Sequence, residues 1–205
     1  MEEFGSVICT LGKGKFSTVY CVSRKSECDV VAIKKYNRSQ IQGYAKQIMR
    51  EKEILNLISH PYIIKLFDTS KDESSLYFVL GAALSGSLHQ HIIHAESLSP
   101  SVCRIYCVQL ISSLCYLASI GVIHRDMKAN NVLINDRGFV LLSDFGSGAI
   151  VYKPHNFPAI LSGDLQANRC FTVCGTAGYM APEVRLLSQP PKSVCSQPPV
   201  SSSFS

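Results

Sequence analysis

Two short polar segments constrain this chain more than any other part of its sequence. Residues 124–131 read HRDMKANN, and residues 144–146 read DFG. Apolar runs at 132–134 and 139–143 flank the sequence NDRG at 135–138, which is typical of a tight hairpin turn. A hairpin would therefore bring an Asp, a Lys, an Asn and a second Asp onto two neighbouring loops, and this set of groups suits phosphoryl transfer.

Each of these four groups has a role in such a reaction. Asp126 would accept or orient the proton of the attacking hydroxyl, and Lys128 would neutralise charge on the transferred phosphoryl group. Asn131 and Asp144 would hold Mg²⁺, which prefers oxygen ligands. If this interpretation is right, the rest of the sequence must supply a nucleotide site.

A glycine-containing turn near the start of the chain is the first candidate for that site. Residues 11–19 read LGKGKFSTV and separate two strand-like apolar runs at 4–10 and 19–22. Glycine lets backbone amides approach phosphate oxygens without an intervening Cβ. Such turns also occur in ordinary hairpins, and Ser17 replaces the third glycine of the usual pattern, so the turn alone leaves both interpretations open. The predicted nucleotide contacts here are Leu11, Gly12, Lys13, Gly14, Lys15, Phe16, Ser17, Thr18 and Val19.

A lysine at the end of an apolar strand favours the nucleotide interpretation. Residues 31–34 read VAIK, a β-branched run typical of a strand. Lys34 must either reach water or meet an anion, and the candidate anions are nucleotide phosphates and a carboxylate of the following helix. That helix is predicted over residues 41–59, ends before Pro61, and offers Glu51 and Glu53.

The remaining pattern predicts an α+β fold. Strands at 63–68 and 76–80 complete a five-stranded antiparallel sheet with one helix, and the run GAALSG at 81–86 suits a hinge that binds an adenine edge. Helices are predicted at 87–95 and at 99–120, where Ser99 and Pro100 form a good helix start. We expect one apolar stripe of the second helix to lie in the core, composed of Val102, Ile105, Val108, Ile111, Leu114 and Leu117.

Composition excludes several classes of protein. The chain is 46% hydrophobic and 17% charged, as in globular proteins, and its net charge of +5 is scattered, so no nucleic-acid interface is predicted. Nine cysteines without a CxxC pair, and no signal-peptide pattern, predict free thiols in the cytosol or the nucleus. No uninterrupted apolar window reaches the ~18 residues of a membrane span, and nothing in the sequence indicates an oligomeric state.

The sequence resembles the eukaryotic protein kinases over residues 4–187, through the LGKGKFSTV, VAIK, HRDMKANN and DFG motifs and the APE triplet at 181–183. The resemblance implies a bilobal fold, ATP and Mg²⁺ as cofactors, and proteins as substrates. Counting back from Pro61, as in kinases, it selects Glu51 as the partner of Lys34. The residues implied to contact adenine are Ala32, Leu80, Ala83 and Leu133, with Leu80 in the gatekeeper position.

The same resemblance implies two internal stacks of side chains. The regulatory stack would consist of Leu55, Leu66, His124 and Phe145, and the stack that adenine completes would consist of Val19, Ala32, Leu88 and Leu133.

Two further features of the resemblance concern specificity and activation. Lys128 is typical of Ser/Thr kinases, and residues 171–183 are most similar to the AGC group, which includes cyclic-nucleotide-dependent and ribosomal S6 kinase-like enzymes. By the same comparison, an upstream kinase would phosphorylate Thr172, with Arg125 as the charge partner of the phosphate.

The resemblance stops shortly after the APE triplet. A kinase large lobe is expected to continue through a central buried helix, whereas residues 188–205 read SQPPKSVCSQPPVSSSFS, a composition typical of disorder. The predicted segments are an ATP-binding N-lobe at 1–80, a hinge and partial, mainly helical C-lobe at 81–187, and this tail. Without the central helix, the lost apolar burial would exceed a typical domain's net stability.

Three hypotheses for function follow. The first is a protein Ser/Thr kinase that transfers the γ-phosphoryl group of ATP. The second is a truncated isoform that binds nucleotide or partner proteins as a regulatory decoy. The third is a chain without a stable function that is degraded.

Overall fold

The computed structural model describes residues 4–24, 30–151, 175–176 and 178–180. Within these residues, a five-stranded antiparallel sheet with one helix forms the first lobe. Two further helices, short strands and 3₁₀ turns follow it in the chain. The α+β fold class predicted from the sequence is confirmed.

The sheet contains β1 (Gly5–Lys13), β2 (Ser17–Arg24), β3 (Val30–Asn37), β4 (Leu66–Lys71) and β5 (Ser75–Gly81). Its strand order is β1-β2-β3-β5-β4, so β3 lies at the centre. Because side chains alternate along a strand, β3 presents Val31 and Ile33 to a small cluster on one face, and Ala32 and Tyr36 to the main core on the other.

Helix α1 (Ala45–Leu57) packs its buried residues Ile48, Glu51 and Leu55 toward the main core. The predicted helix over 41–59 is too long at its start, because a 3₁₀ turn at Arg38–Gln40 and a further turn precede α1. The 3₁₀ turn is stabilised by Asn37, whose side-chain oxygen accepts from the Ser39 N–H.

The predicted strand at 63–68 begins too early, since β4 starts at Leu66. Ile63 forms an isolated bridge to Leu142, and the Ile64 N–H donates to the Leu142 carbonyl at 2.9 Å. Both isoleucines are buried, so their apolar character reflects packing against residues far along the chain rather than membership of the sheet.

Helices α2 (Leu88–Ala95) and α3 (Pro100–Ser119) start where the sequence predicts. The Ser87 side chain accepts from the Gln90 N–H in a capping box, and the Ser99 side chain accepts from the Val102 N–H. Each hydroxyl satisfies a backbone donor that has no partner within the helix.

Two pairs of short strands follow α3. Strand β6 (Val122–Ile123) pairs with β9 (Ala149–Ile150), and β7 (Val132–Ile134) pairs with β8 (Val140–Leu142). In the turn of the β7–β8 hairpin, Asn135 Oδ1 accepts from the Phe139 N–H at 2.9 Å, and Gly138 has a φ of +79°. Glycine adopts this left-handed conformation without steric cost, as the predicted hairpin turn requires.

The predicted apolar stripe of α3 is wrong for four of its six residues. Ile105, Val108, Ile111 and Leu114 are exposed, whereas Leu117 is buried together with Gln109 and Ser113. The predicted residues are spaced by three, and because an α-helix has 3.6 residues per turn, such a series winds around the helix. The buried residues are spaced by four and share one face.

By length and composition, α3 is the one helix in the described part of the chain that would fit across a membrane. Core helices of soluble proteins also meet these criteria, so α3 is weak evidence for a membrane span.

Several predictions concern residues outside the described ranges. These are the phosphorylation of Thr172, the APE triplet and the disordered tail at 188–205. Among the described cysteines, Cys9, Cys21, Cys103, Cys107 and Cys115 are free in the structure.

Candidate functional site

The β7–β8 hairpin brings the two polar loops together. Strand β7 starts directly after Asn131, and β8 ends just before Ser143 and Asp144. The backbone N–H and the hydroxyl of Ser143 donate to the Asn131 carbonyl at 2.8 and 3.0 Å. The HRDMKANN and DFG segments therefore lie side by side, as the hairpin between them predicts.

Asp126 is the centre of one group of predicted catalytic residues. Lys128 Nζ lies 2.7 Å from Asp126 Oδ2. The Asn131 side-chain amide donates to the Asp126 carbonyl at 2.8 Å and to Oδ2 at 3.1 Å. The structure thus places three predicted site residues in direct contact.

Thr176 also contacts Asp126 and Lys128, although no motif of the sequence indicates a role for it. Its hydroxyl donates to Asp126 Oδ1 at 2.7 Å and accepts from Lys128 Nζ at 3.0 Å. Thr176 is 50 residues from Asp126 in sequence, so no local spacing signals the contact. Together with Lys128 and Asn131, it engages both oxygens of the Asp126 carboxylate.

The partners of Asp126 determine its charge. Burial by itself would raise the pKa of the Asp126 carboxyl, but hydrogen bonds from Lys128 and Thr176 more than offset this effect and lower the pKa. Asp126 is therefore a carboxylate at neutral pH. It can accept a hydrogen bond from a hydroxyl, as it does from Thr176.

His124 connects the two loops through hydrogen bonds made by its ring. Its Nε2–H donates to the Ser143 carbonyl at 2.8 Å, and its Nδ1 accepts from the Asp126 N–H at 3.3 Å. Burial lowers the pKa of His124, which keeps the ring neutral as this pair of contacts requires. The ring also meets Phe145 edge to face, with 4.8 Å between ring centroids.

This His124–Phe145 contact joins two members of the predicted regulatory stack. Leu55 and Phe145 are buried in the main core, and Leu66 packs against that core. Of the predicted adenine stack, Ala32 is buried in the same core and Val19 and Leu88 pack against it, while Leu133 is half-buried on β7.

Lys34 is the centre of a second group. Its Nζ lies 2.6 Å from Glu51 Oε1 and 3.5 Å from Asp144 Oδ1. The structure brings Glu51 to this lysine, while Glu53 lies exposed on α1. The side chains of Lys34 and Glu51 are only 13% and 5% exposed, so their charges interact with little screening by water.

The pKa of Lys34 reflects this pairing. Burial works to lower the pKa of the Lys34 ammonium, but the charge of Glu51 and other neighbouring groups more than offsets it, and the net effect is a raised pKa. Lys34 is therefore a fixed cation that faces Asp144 at the start of the DFG segment.

Two functional loops contain non-glycine residues with a left-handed backbone. Arg125 has a φ of +65° and Asp144 a φ of +61°. Asp tolerates this conformation better than Arg, for which it is uncommon. At Arg125, the surroundings hold the backbone in place, since its Nε–H donates to the Ser147 carbonyl at 2.7 Å.

The predicted nucleotide turn connects β1 and β2 at the edge of the sheet. The Gly14 N–H donates to the Ser17 carbonyl at 2.8 Å, which closes the turn. Residues 11–15 are exposed and residues 16–19 are half-buried. The ring of Phe16 packs at a tilt against the ring of Tyr44, just before α1, with centroids 3.9 Å apart. Lys15 Nζ lies 3.4 Å from the Tyr44 hydroxyl.

The four predicted adenine contacts lie on different parts of the chain. Ala32 is on β3, Leu80 is on β5, Ala83 is in the hinge that follows, and Leu133 is on β7. The first three are buried, and Leu133 is half-buried. Their small or aliphatic side chains suit the apolar wall of a base-binding site.

The donor set of the site fits a magnesium nucleotide. The Asp144 carboxylate is 50% exposed, so it is open to solvent and to a cation. Asn131, directly before β7, can add its side-chain amide oxygen. Mg²⁺ prefers hard oxygen ligands of this kind. Lys34 supplies a positive charge beside Asp144, which suits a phosphate oxygen.

Comparison with known proteins agrees with this arrangement. A family model described as the protein kinase domain matches residues 6–194. The chain is 36% identical over 176 residues to CBL-interacting protein kinase 11 of Oryza sativa subsp. japonica, a match that covers 85% of this chain and 33% of that protein. The same identity and chain coverage hold for Aurora kinase of Schizosaccharomyces pombe, of which 46% is covered.

Relatives of the predicted AGC type are found as well. Human 3-phosphoinositide-dependent protein kinase 1 is 32% identical over 195 residues, covering 94% of this chain and 32% of that protein. The serine/threonine-protein kinase sgk-1 of Caenorhabditis elegans is 32% identical over 183 residues, covering 87% of this chain and 37% of that protein. The chain therefore spans about a third to just under half of the length of the curated relatives named here.

Proposed function

Because the chain belongs to the protein kinase domain family, we propose that it transfers the γ-phosphoryl group of ATP to a Ser or Thr hydroxyl of a protein. The observation that carries this proposal is the hydrogen bond from the Thr176 hydroxyl to Asp126 Oδ1, at 2.7 Å. A hydroxyl already sits on the carboxylate that would receive the substrate's proton. A substrate Ser or Thr would take over this kind of contact.

In the proposed reaction, a bond forms between the substrate oxygen and the γ-phosphorus while the bond from that phosphorus to the leaving ADP oxygen breaks. Asp126 Oδ1 or Oδ2 orients the substrate hydroxyl and receives its proton. Lys128 Nζ, held 2.7 Å from Asp126 Oδ2, balances negative charge on the transferred group. Asn131 holds the Asp126 carboxylate in place through its amide hydrogen bonds.

Lys34 would bind phosphate oxygens of the nucleotide. Its ion pair with Glu51 fixes the ammonium in position before a nucleotide arrives, which reduces the entropy lost on binding. Asn131 and Asp144 would hold Mg²⁺, which neutralises phosphate charge when bound. The exposed turn at residues 11–19 would cover the phosphates with its backbone amides.

Activation by an upstream kinase at Thr172 is part of the proposal. Arg125, its predicted charge partner, donates from its guanidinium to the Ser147 and Gly148 carbonyls, which directly follow the DFG segment. A phosphate on Thr172 would add a charge-assisted contact for this guanidinium.

Transfer of radiolabelled phosphate from ATP to Ser- and Thr-containing peptides tests the proposed function. Asp126→Asn should lower the rate on the order of 10²- to 10⁴-fold, because it removes the proton acceptor. Asp136→Asn is the matched control, since Asp136 lies exposed in the nearby hairpin turn. It should retain the wild-type rate. Equal incorporation by the wild-type chain and the Asp126→Asn variant would contradict the proposal.

A further inference from the structure

The carboxylate of Glu51 has a second partner that no motif of the sequence includes. The hydroxyl of Tyr36 donates to Glu51 Oε2 at 2.6 Å, while Lys34 occupies Oε1 at the same distance. Each oxygen of the carboxylate therefore has its own donor, and both donors come from β3.

The geometry of β3 explains why both donors reach the same helix. Lys34 and Tyr36 are two positions apart, so their side chains leave the sheet on the same face. Glu51 meets them from α1, between the buried residues Ile48 and Leu55. These three groups form a bridge between the centre of the sheet and the helix that packs on it.

The ring of Tyr36 is held as firmly as its hydroxyl. Tyr36 is only 4% exposed and belongs to the main core. Its ring meets Phe78 edge to face with centroids 5.3 Å apart, and Lys34 Nζ lies 5.3 Å from its centroid. The hydroxyl is therefore presented to Glu51 by a side chain with little freedom to rotate.

A buried carboxylate needs more than one partner. Taking an ionised group out of water is costly unless its lone pairs are satisfied, and a single ion pair leaves one oxygen without a donor. Burial raises the pKa of the Tyr36 phenol, and the negative charge of Glu51 adds to this, so the hydroxyl keeps its proton and remains a donor at neutral pH.

We propose that Tyr36 is a positioning residue: its hydroxyl holds the Glu51 carboxylate, and through it Lys34 and α1, in the arrangement used for phosphoryl transfer before any nucleotide binds. Tyr36 itself touches neither nucleotide nor substrate. The kinetic consequences rest on the proposed function, whereas the tether between β3 and α1 does not.

The kinetic test compares two tyrosines of the same sheet in the full 205-residue chain. Tyr36→Phe removes only the hydroxyl and should lower kcat about tenfold, equivalent to ~1.4 kcal/mol, with an unchanged KM for the peptide substrate. Tyr77→Phe is the matched control, because Tyr77 is also 4% exposed and its hydroxyl donates to a carboxylate, Asp72 Oδ2, at 2.7 Å. It should keep the wild-type kcat.

A double-mutant cycle separates positioning from general destabilisation. In a Glu51→Gln background the carboxylate is absent, so Tyr36→Phe should lower kcat by less than twofold. A tyrosine that only supports the core would lower kcat by the same factor in both backgrounds, and this result would overturn the inference.

Hydrogen exchange of the chain without nucleotide tests the tether independently of catalysis. Tyr36→Phe should accelerate exchange of the α1 amides at 45–57, while Tyr77→Phe should leave α1 at the wild-type rate. Wild-type exchange of α1 in Tyr36→Phe would overturn the inference even in an active enzyme. Accelerated exchange in a chain that transfers no phosphate would support the tether and contradict only the proposed function.

Discussion

Helices α1 and α3 meet the rest of the molecule in opposite ways. α1 buries Ile48, Ile54 and Leu55, and adds a single buried charge, Glu51. α3 buries Leu117 and two polar residues, Gln109 and Ser113, and leaves Ile111 58% exposed. The buried face of α1 is therefore apolar around one ion pair, whereas the buried face of α3 combines apolar contacts with hydrogen bonds.

The hydrogen bonds of α3 account for this difference. Gln109 Oε1 accepts from the Val140 N–H at 2.9 Å, and the Ser113 hydroxyl donates to the Tyr62 carbonyl at 3.1 Å. Tyr116 on the same face accepts from the Ser59 N–H and stacks on His60. The buried Val140 N–H would lose its Gln109 acceptor if α3 turned an apolar face toward it.

Which face of a helix is buried depends on the chemical groups that the neighbouring elements present to it. β3 presents Ala32, Lys34 and Tyr36 to α1, so an apolar face with one carboxylate is the complement. β8 and the segment before β4 present backbone N–H and C=O groups to α3, so amide and hydroxyl side chains are the complement. Hydropathy alone does not distinguish these cases.

The same substitution on both helices should show the largest difference between α1 and α3. Ile54→Ala on α1 should reduce the free energy of unfolding by ~2–5 kcal/mol, because Ile54 is fully buried and a cavity would remain. Ile111→Ala on α3 should change it by less than ~0.5 kcal/mol. Urea unfolding followed by circular dichroism measures both values, and equal losses would show that the two helices do not differ in this way.

A smaller effect is expected from the polar face of α3. Gln109→Leu should cost ~1–3 kcal/mol, because the buried Val140 N–H would lose its acceptor while the side chain stays similar in size. Gln42→Leu, at an exposed position before α1, is the control and should be nearly neutral. If Gln109→Leu stabilised the chain in the same unfolding experiment, the hydrogen bonds would not be what orients α3.

The smallest expected effect is a pH dependence centred on His124, whose buried ring contacts Phe145 of the main core. Its pKa in the folded chain is lowered by burial, so the unfolded chain takes up this proton first as the pH falls below about 6.5. Its contribution to stability is complete above that pH and is lost below it. The thermal midpoint of the chain should therefore be lower at pH 5.5 than at pH 7.5.

His124→Asn removes this titration and should reduce the difference between the two midpoints. His60, whose pKa burial also lowers, contributes in the same direction and accounts for a remaining difference. A pH dependence of the midpoint identical in the wild-type chain and the His124→Asn variant would show that the His124 ring does not titrate as its contacts require.

Much of the candidate site is local in sequence, and this part was predictable. Asp126, Lys128 and Asn131 lie within one short loop, and one hairpin separates them from Asp144. Hairpin turns and strand alternation act over a few residues, so their consequences can be worked out from the sequence alone. The placement of Lys34 at the end of an apolar run on β3 belongs to the same class.

The contacts of Tyr36 and Thr176 were not predictable in this way. Tyr36 is adjacent to a motif but outside it, and its role depends on how α1 docks on the sheet. Thr176 reaches Asp126 across 50 residues of sequence. The predicted apolar stripe of α3 failed for a different reason, because residues spaced by three wind around an α-helix and do not share one face.

The class of the fold and the hairpin that joins the two polar loops follow from the sequence alone, which also predicts the residues that would bind nucleotide and metal. The kinase resemblance also implied the pairing of Lys34 with Glu51, which the structure shows. The tertiary structure was needed to show which face of α3 is buried and that the hydroxyls of Tyr36 and Thr176 donate to the carboxylates of Glu51 and Asp126. The two kinds of feature differ in how far apart the interacting residues lie in the sequence. Turn preferences and side-chain alternation are properties of a few adjacent residues, whereas satisfying a buried polar group depends on partners that folding brings from distant parts of the chain.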